Sequence, residues 1–235
     1  MMDPVLRIVE RSNQRGGRML SVVDLLRAET LNRRQAAWLL ARIEQGASWM
    51  VGARPGGAGK TTVMSALLAM LPAGERVRLT NPGSGWEMSR PGECIVAYEI
   101  SRGYYDAYIW GADLAHMAAL GACGCRLVTN LHADTLVEAR EQIVRENGVP
   151  AEGFDAFGMF LPLAVRRRGL AVERVIPAIH YYRDGGWQVL DESEPPSERE
   201  EQIDAFLDDC ARRELVTVCD VRKAWLEWQV AHPIG

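Results

Sequence analysis

Residues 47–62 read ASWMVGARPGGAGKTT, an apolar run that empties into a glycine-rich turn closing on Gly-Lys-Thr-Thr. Glycines at 56, 57 and 59 tolerate backbone torsions that side chains resist, so the turn can curl with its N–H groups inward. A helix opening directly after it would add the positive end of its dipole, and the two together make an anion site. The spacing fits the last three places of the phosphate-binding pattern G-x-x-x-x-G-K-[ST] at Gly59, Lys60 and Thr61. On that pattern the stretch from Pro55 through Gly56, Gly57, Ala58 and Gly59 to Thr62 forms the cradle. Lys60 reaches the terminal phosphates, and the Thr61 hydroxyl holds Mg²⁺. The ligand expected is ATP with Mg²⁺. The first place of the pattern departs, with Arg54 where a glycine is usual and Gly52 close by.

A cradle holds phosphate without cleaving it; cleavage needs a carboxylate near Mg²⁺ or the attacking water, and polar groups near the terminal phosphate. Glu99 is the best-placed carboxylate, since it closes the run ECIVAYEI at residues 93–100, which reads as a strand buried on both faces. His132 follows the run RLVTN in TNLHAD, again at a strand end. A lone histidine there serves as readily for structure as for function.

The elements that must position these groups alternate. Two helical patterns cover 18–46, the second of them, at 32–46, leading into the first strand at 48–51; a helix opens at 61, and short strands follow at 76–80, 93–100 and 126–130. Helical periods cover 105–120 and 135–145. Strands alternating with helices specify an α/β fold with a mainly parallel sheet whose ligands sit at the carboxyl ends of the strands. Residues 157–190 change character and read as a late β-meander with turns at Gly169 and at Asp184-Gly185-Gly186. Past a DESEPPS linker, Ser197 with Glu200 and Thr217 with Asp220 mark the starts of two tail helices. The divisions expected are an N-terminal helical segment at 1–46, a nucleotide-binding core at 47–190 and a helical C-terminal tail at 191–235.

Taken together, GGAGKTT, PGECIVAYEIS, TNLHADT followed by VEAREQI, and the late RVIPAIHYYRDGGWQVL resemble the motor ATPases of type II and type IV secretion and pilus systems. The resemblance covers about residues 30–190. It implies a RecA-like P-loop NTPase core, with Glu99 as the acid of the Walker B strand, polarising water or holding Mg²⁺, and His132 as the histidine of the T-x-H box. His132 and Asn130 would then sense the terminal phosphate. As partners it implies further copies of the chain in a ring, or a secretion-type complex at a membrane. The chain departs in three ways. The interval from Lys60 to Glu99 is short, Thr80 and Asn81 stand where acidic residues are expected with Glu87 the nearest substitute, and no large N-terminal domain precedes the core. These losses predict slow hydrolysis.

With 235 residues, 48% hydrophobic and 25% charged, the chain can bury a sizeable core. A net charge of −4 offers no positive field for nucleic acid, and none is expected as partner. Arg33-Arg34 and Arg166-Arg167-Arg168 read as solvated faces. No leader or long apolar run is visible and the five cysteines are odd in number, which together predict a cytoplasmic protein with reduced thiols. The rival readings are a non-hydrolysing ATP switch, a small-molecule kinase, and an interaction module anchored by exposed Trp225 and Trp228.

Overall fold

The computed structural model describes residues 3–13, 16–81, 83, 89–103, 105–169 and 171–234. Three helices come first: α1 (Pro4–Arg11), α2 (Val22–Arg27) and α3 (Arg33–Glu44). The last two begin on capping boxes, Ser21 with Asp24 and Asn32 with Gln35, so each satisfies its first amides locally. Strand β1 (Trp49–Gly52) then enters the centre of a sheet and hands the chain to α4 (Lys60–Leu68). Strands β2 (Arg76–Leu79), β3 (Glu93–Val96), β4 (Glu99–Ile100) and β5 (Tyr108–Ile109) follow. Beyond them come α5 (Ala112–Ala122), β6 (Arg126–Leu131), α6 (Leu136–Arg140) with a π-helical continuation Glu141–Glu146, and α7 (Ala151–Asp155). The chain closes with β7 (Met159–Pro162), β8 (Ala164–Arg168), β9 (Ala171–Val175), β10 (His180–Arg183), β11 (Gly186–Val189), α8 (Glu198–Arg212) and α9 (Val218–Ala231).

The sheet runs β11-β10-β7-β1-β6-β3-β2, with β4 and β5 continuing it beside β6. β1 pairs in parallel with both β6 and β7, β3 with β6 and β2, and the antiparallel pairs are confined to the β7-β10-β11 edge. Side chains alternate between two apolar layers as the strand period requires. Trp49, Val51, Val96, Val128 and Leu161 join one layer with the first four helices, α8 and α9. Met50, Ile95, Leu127 and Phe160 join the other with α5, α7 and the helical stretch after β6. No helix among the described residues is long and apolar enough to cross a membrane.

Three sequence expectations need correction. The run at 157–190 is not one meander: β7 and β10–β11 belong to the main sheet, whereas β8 and β9 form a separate antiparallel ribbon. Leu163 breaks the line by giving its N–H to the Gly52 carbonyl at 2.7 Å, which holds the chain at the end of β1 before the ribbon begins. The helix expected from residue 105 starts only at Ala112, because Tyr108 and Ile109 pair with β4 first. Trp225 is not an exposed anchor. It is fully buried, and Trp228 and Phe206 pack on its ring at about 5 Å, so the interaction-module reading loses its feature.

The tail is tied to α4. Buried Arg222 of α9 donates through Nη1 to the carbonyls of Ala69 and Leu71 at 2.9 and 3.0 Å, just past the end of α4, and its Nε meets Asp3 at 2.6 Å. The Ala69 carbonyl, at the C-cap, is among the acceptors a helix end leaves without partners, and a cation there also answers the helix dipole. From the other side, α1 touches α4 through the Ser12 and Ser65 hydroxyls, 2.7 Å apart. Replacing Arg222 by Ala strips three acceptors at once, and the expected loss is about 2–4 kcal/mol of unfolding free energy in a urea titration. A loss under about 0.5 kcal/mol would mean that water replaces the guanidinium freely.

Candidate functional site

The glycine-rich loop leaves the sheet at the carboxyl end of β1. Gly52 is required there: a Cβ on it would lie 2.4 Å from both the Ala133 carbonyl oxygen and the Phe160 ring. Ala53 is still held by the sheet through the Leu131 carbonyl. Arg54, where the pattern has glycine, does not take a left-handed torsion, so the side chain costs nothing. It is pinned instead, its N–H to Asp134 at 2.8 Å and its guanidinium to Glu138 at 2.7 Å. Gly57 and Gly59 do take left-handed torsions, at φ 78° and 107°. Gly59 is the N-cap of α4 and has no side chain to offer the helix. Among the described residues no acceptor is found for the amides of Gly57, Gly59, Lys60 and Thr61. Loop amides in that condition at the start of a nine-residue helix suit an anion.

Lys60 is buried, donating to the Ala53 carbonyl at 3.1 Å and standing 2.9 Å from Glu99 Oε1. The same oxygen lies 3.0 Å from His132 Nε2, and the other edge of the His132 ring faces the Arg54 carbonyl at 3.3 Å. Lysine, carboxylate and histidine, widely separated in sequence, therefore meet in one chain of contacts beyond the carboxyl ends of β1, β3 and β6. Pro55 and Gly56 are exposed, Ala58 is buried, and Thr61 and Thr62 are half-buried on the first turn of α4.

A slip in register brings Glu99 to Lys60. Val96 pairs with Val128, but Ile100 pairs with Leu131, so four steps on one strand match three on the other. The extra residue is a bulge across Ala97, Tyr98 and Glu99. Its effect shows in the layers: Tyr98 packs on the α4 side with Val96, yet Ile100 packs on the α5 side with Ile95 and Ala97. Continued alternation would have sent Glu99 to the α5 side, away from Lys60. Asn130, expected beside a terminal phosphate, is fully buried, and its amide donates to the Tyr98 carbonyl at 2.8 Å inside the bulge. Thr80, at the end of the β2–β3 pair, is buried, and Glu87 lies outside the described residues.

The loop is ringed by residues that sequence reasoning missed. Asp134 and Glu138 hold Arg54, and Arg174 of β9 donates from Nε to the Ala58 carbonyl at 2.9 Å. Glu138 had one visible signal, its place three residues after Thr135, which caps the helix with a 3.2 Å bond. Two clefts of about 380 and 250 Å³ lie where the C-terminal tail meets α3 and share no residue with the loop. Arg34 pairs there with Glu200 and Arg199 with Glu44, contacts that join tail to core.

No protein-family model and no curated protein matches the chain. Among solved structures it is similar to the VirB11 ATPase of the Brucella suis type IV secretion system, in complex with sulphate. The identity is 15% and the TM-score 0.43, over 77% of this chain and 56% of that one. The chain thus spans little more than half the length of that protein.

If Asn130 holds the bulge, Asn130→Ala should leave the Tyr98 carbonyl buried without a donor. The expected cost is about 1–3 kcal/mol in a denaturant titration. An unchanged midpoint and slope would assign the bulge to backbone packing alone.

Proposed function

We propose that the chain is a P-loop ATPase that binds Mg²⁺·ATP on the loop from Pro55 to Thr62 and hydrolyses it slowly. The observation that carries the reading is the meeting of Lys60, Glu99 and His132 beside a helix N-terminus whose first amides have no acceptor among the described residues. In this reading the backbone N–H groups of Gly57, Gly59, Lys60 and Thr61 receive anionic oxygens. Lys60 would neutralise charge on the terminal phosphates, and the Thr61 hydroxyl, with Glu99 acting through water, would hold Mg²⁺. When bound, Mg²⁺·ATP supplies the phosphoanhydride and a cation that offsets its charge. Glu99 is placed to orient a water and take its proton, while His132 offers a polar group near the terminal phosphate. Asn130 acts one step back, through the bulge. The motif resemblance extends the proposal to a ring of copies, or to a secretion-type complex at a membrane, as the partner.

A second reading, a switch that binds ATP without turnover, draws on Thr80 and Asn81, which offer no carboxylate where the related motifs carry acids. Phosphate release separates the two. Saturating Mg²⁺·ATP, at about a hundredfold excess over Kd, should raise stability by roughly 2.7 kcal/mol, and Lys60→Ala should abolish that gain. Turnover is expected below the ~1 to 10³ s⁻¹ common to enzymes. Glu99→Gln should lower it further and leave the ATP-dependent stabilisation in place. A wild-type protein whose melting does not respond to Mg²⁺·ATP would end the nucleotide reading, and turnover that survives Glu99→Gln would assign the carboxylate's work elsewhere.

His132 is tested by comparing nucleotides. His132→Ala should hardly alter ADP affinity but weaken a non-hydrolysable ATP analogue by about 1–3 kcal/mol in calorimetry. Equal losses on both would make it a structural residue.

A further inference from the structure

The β8–β9 ribbon is fixed at both feet, by Leu163 N–H to the Gly52 carbonyl at 2.7 Å and Ile176 N–H to the Thr30 carbonyl at 2.9 Å. From there it stands over the carboxyl end of β1. Arg174, paired across the ribbon with Val165, reaches back to the loop. Its Nε donates to the Ala58 carbonyl at 2.9 Å, and its Cδ lies 3.3 Å from where a Cβ on Gly59 would stand. Beyond that single bond its guanidinium has no hydrogen bond and no carboxylate among the described residues.

This is an unusual place for an unpaired cation. Nearby, the N-terminus of α4 already carries partial positive charge and Lys60 a full one. Lys60 is answered by Glu99, and Arg54 by Glu138. Among the described residues Arg174 is answered by no acid, so its charge adds to the positive field at the loop. A second buried-network role is ruled out by its exposure, and a role as a mere strap would need only one N–H. The planar fork left over after the Ala58 bond matches phosphate oxygens in geometry as well as sign.

We propose that Arg174 is a second cation of the nucleotide site, supplied by the β8–β9 ribbon, which recognises the phosphates of a bound nucleoside polyphosphate alongside Lys60. The inference rests on the reading of the loop as a nucleotide site. It also gives the ribbon a task, since a residue that touches both loop and ligand couples occupancy of the loop to the ribbon's position.

Calorimetric titration of Mg²⁺·ATP into wild type and the variants Arg174→Ala, Arg174→Gln and Arg174→Lys tests it, with melting curves in the absence of nucleotide as the check on folding. Glutamine keeps an N–H for the Ala58 carbonyl and drops the charge, whereas lysine keeps the charge. Arg174→Ala and Arg174→Gln should each weaken binding about tenfold or more, Arg174→Lys distinctly less, and none should shift the nucleotide-free melting by more than a degree or two. Wild-type affinity in Arg174→Ala or in Arg174→Gln would overturn the proposal while leaving the loop a nucleotide site. A wild type that does not bind Mg²⁺·ATP would remove the nucleotide reading itself, and the role of Arg174 with it.

Discussion

The one-residue register slip between β3–β4 and β6 is the constraint on which the site depends. A strand delivers side chains strictly by turns to its two faces, so without an extra residue the carboxylate of Glu99 and the ammonium of Lys60 would be separated by the sheet. The slip has its own requirements. Tyr98 gives its N–H to Ala107, a residue held at φ 54°, and Asn130 feeds the Tyr98 carbonyl from the neighbouring strand. An ion pair at 2.9 Å is thus bought with backbone irregularity, which fits the general habit of bulges to occur beside sites.

Around this point the fold supplies stiffness from several directions. Gly52 admits the Phe160 ring where no side chain would fit, so β1 ends in a fixed place before the loop begins. Arg54 is pinned by two acids of the segment after β6, which ties the loop's entry to the same segment that carries His132. Arg126 reaches under the sheet to the Ile43 carbonyl at 2.6 Å and to Glu75 at 2.8 Å, linking β6 with α3 and with the turn after α4. Burial pushes the Glu75 carboxyl above its ordinary range, while the charges of Arg126 and Arg222 pull it back.

Much of this was legible in the sequence, and the reasons differ from part to part. The two tail helices could be read because Ser197 and Thr217 carry their partners three residues on, a purely local signal, and the same signal at Ser21 and Asn32 went unread. The alternation of strands and helices up to residue 145 was likewise local, as was the loop at residues 55–62. The bulge was not, because ECIVAYEI has the same apolar pattern with or without a slip, and only its neighbour's register decides. Asn130 looked like a strand-end polar group until the bulge placed it inside. Arg174 gave no sign at all, since the ribbon that carries it was read as part of a meander and its contact is with a backbone carbonyl, which has no sequence signature.

The grip of Arg222 on the far end of α4 has a mechanical side. A nine-residue helix is about 13 Å long and resists compression. It therefore behaves as a strut with Lys60 on one tip and, just past the other, the carbonyls of Ala69 and Leu71 clasped by α9. A displacement of the glycine loop along that axis would be passed on to the joint where the first and last helices meet. Thermodynamic reciprocity would make the traffic two-way: if occupancy of the loop did work on that joint, a load applied to α9 would return as a change in how firmly the loop held its occupant.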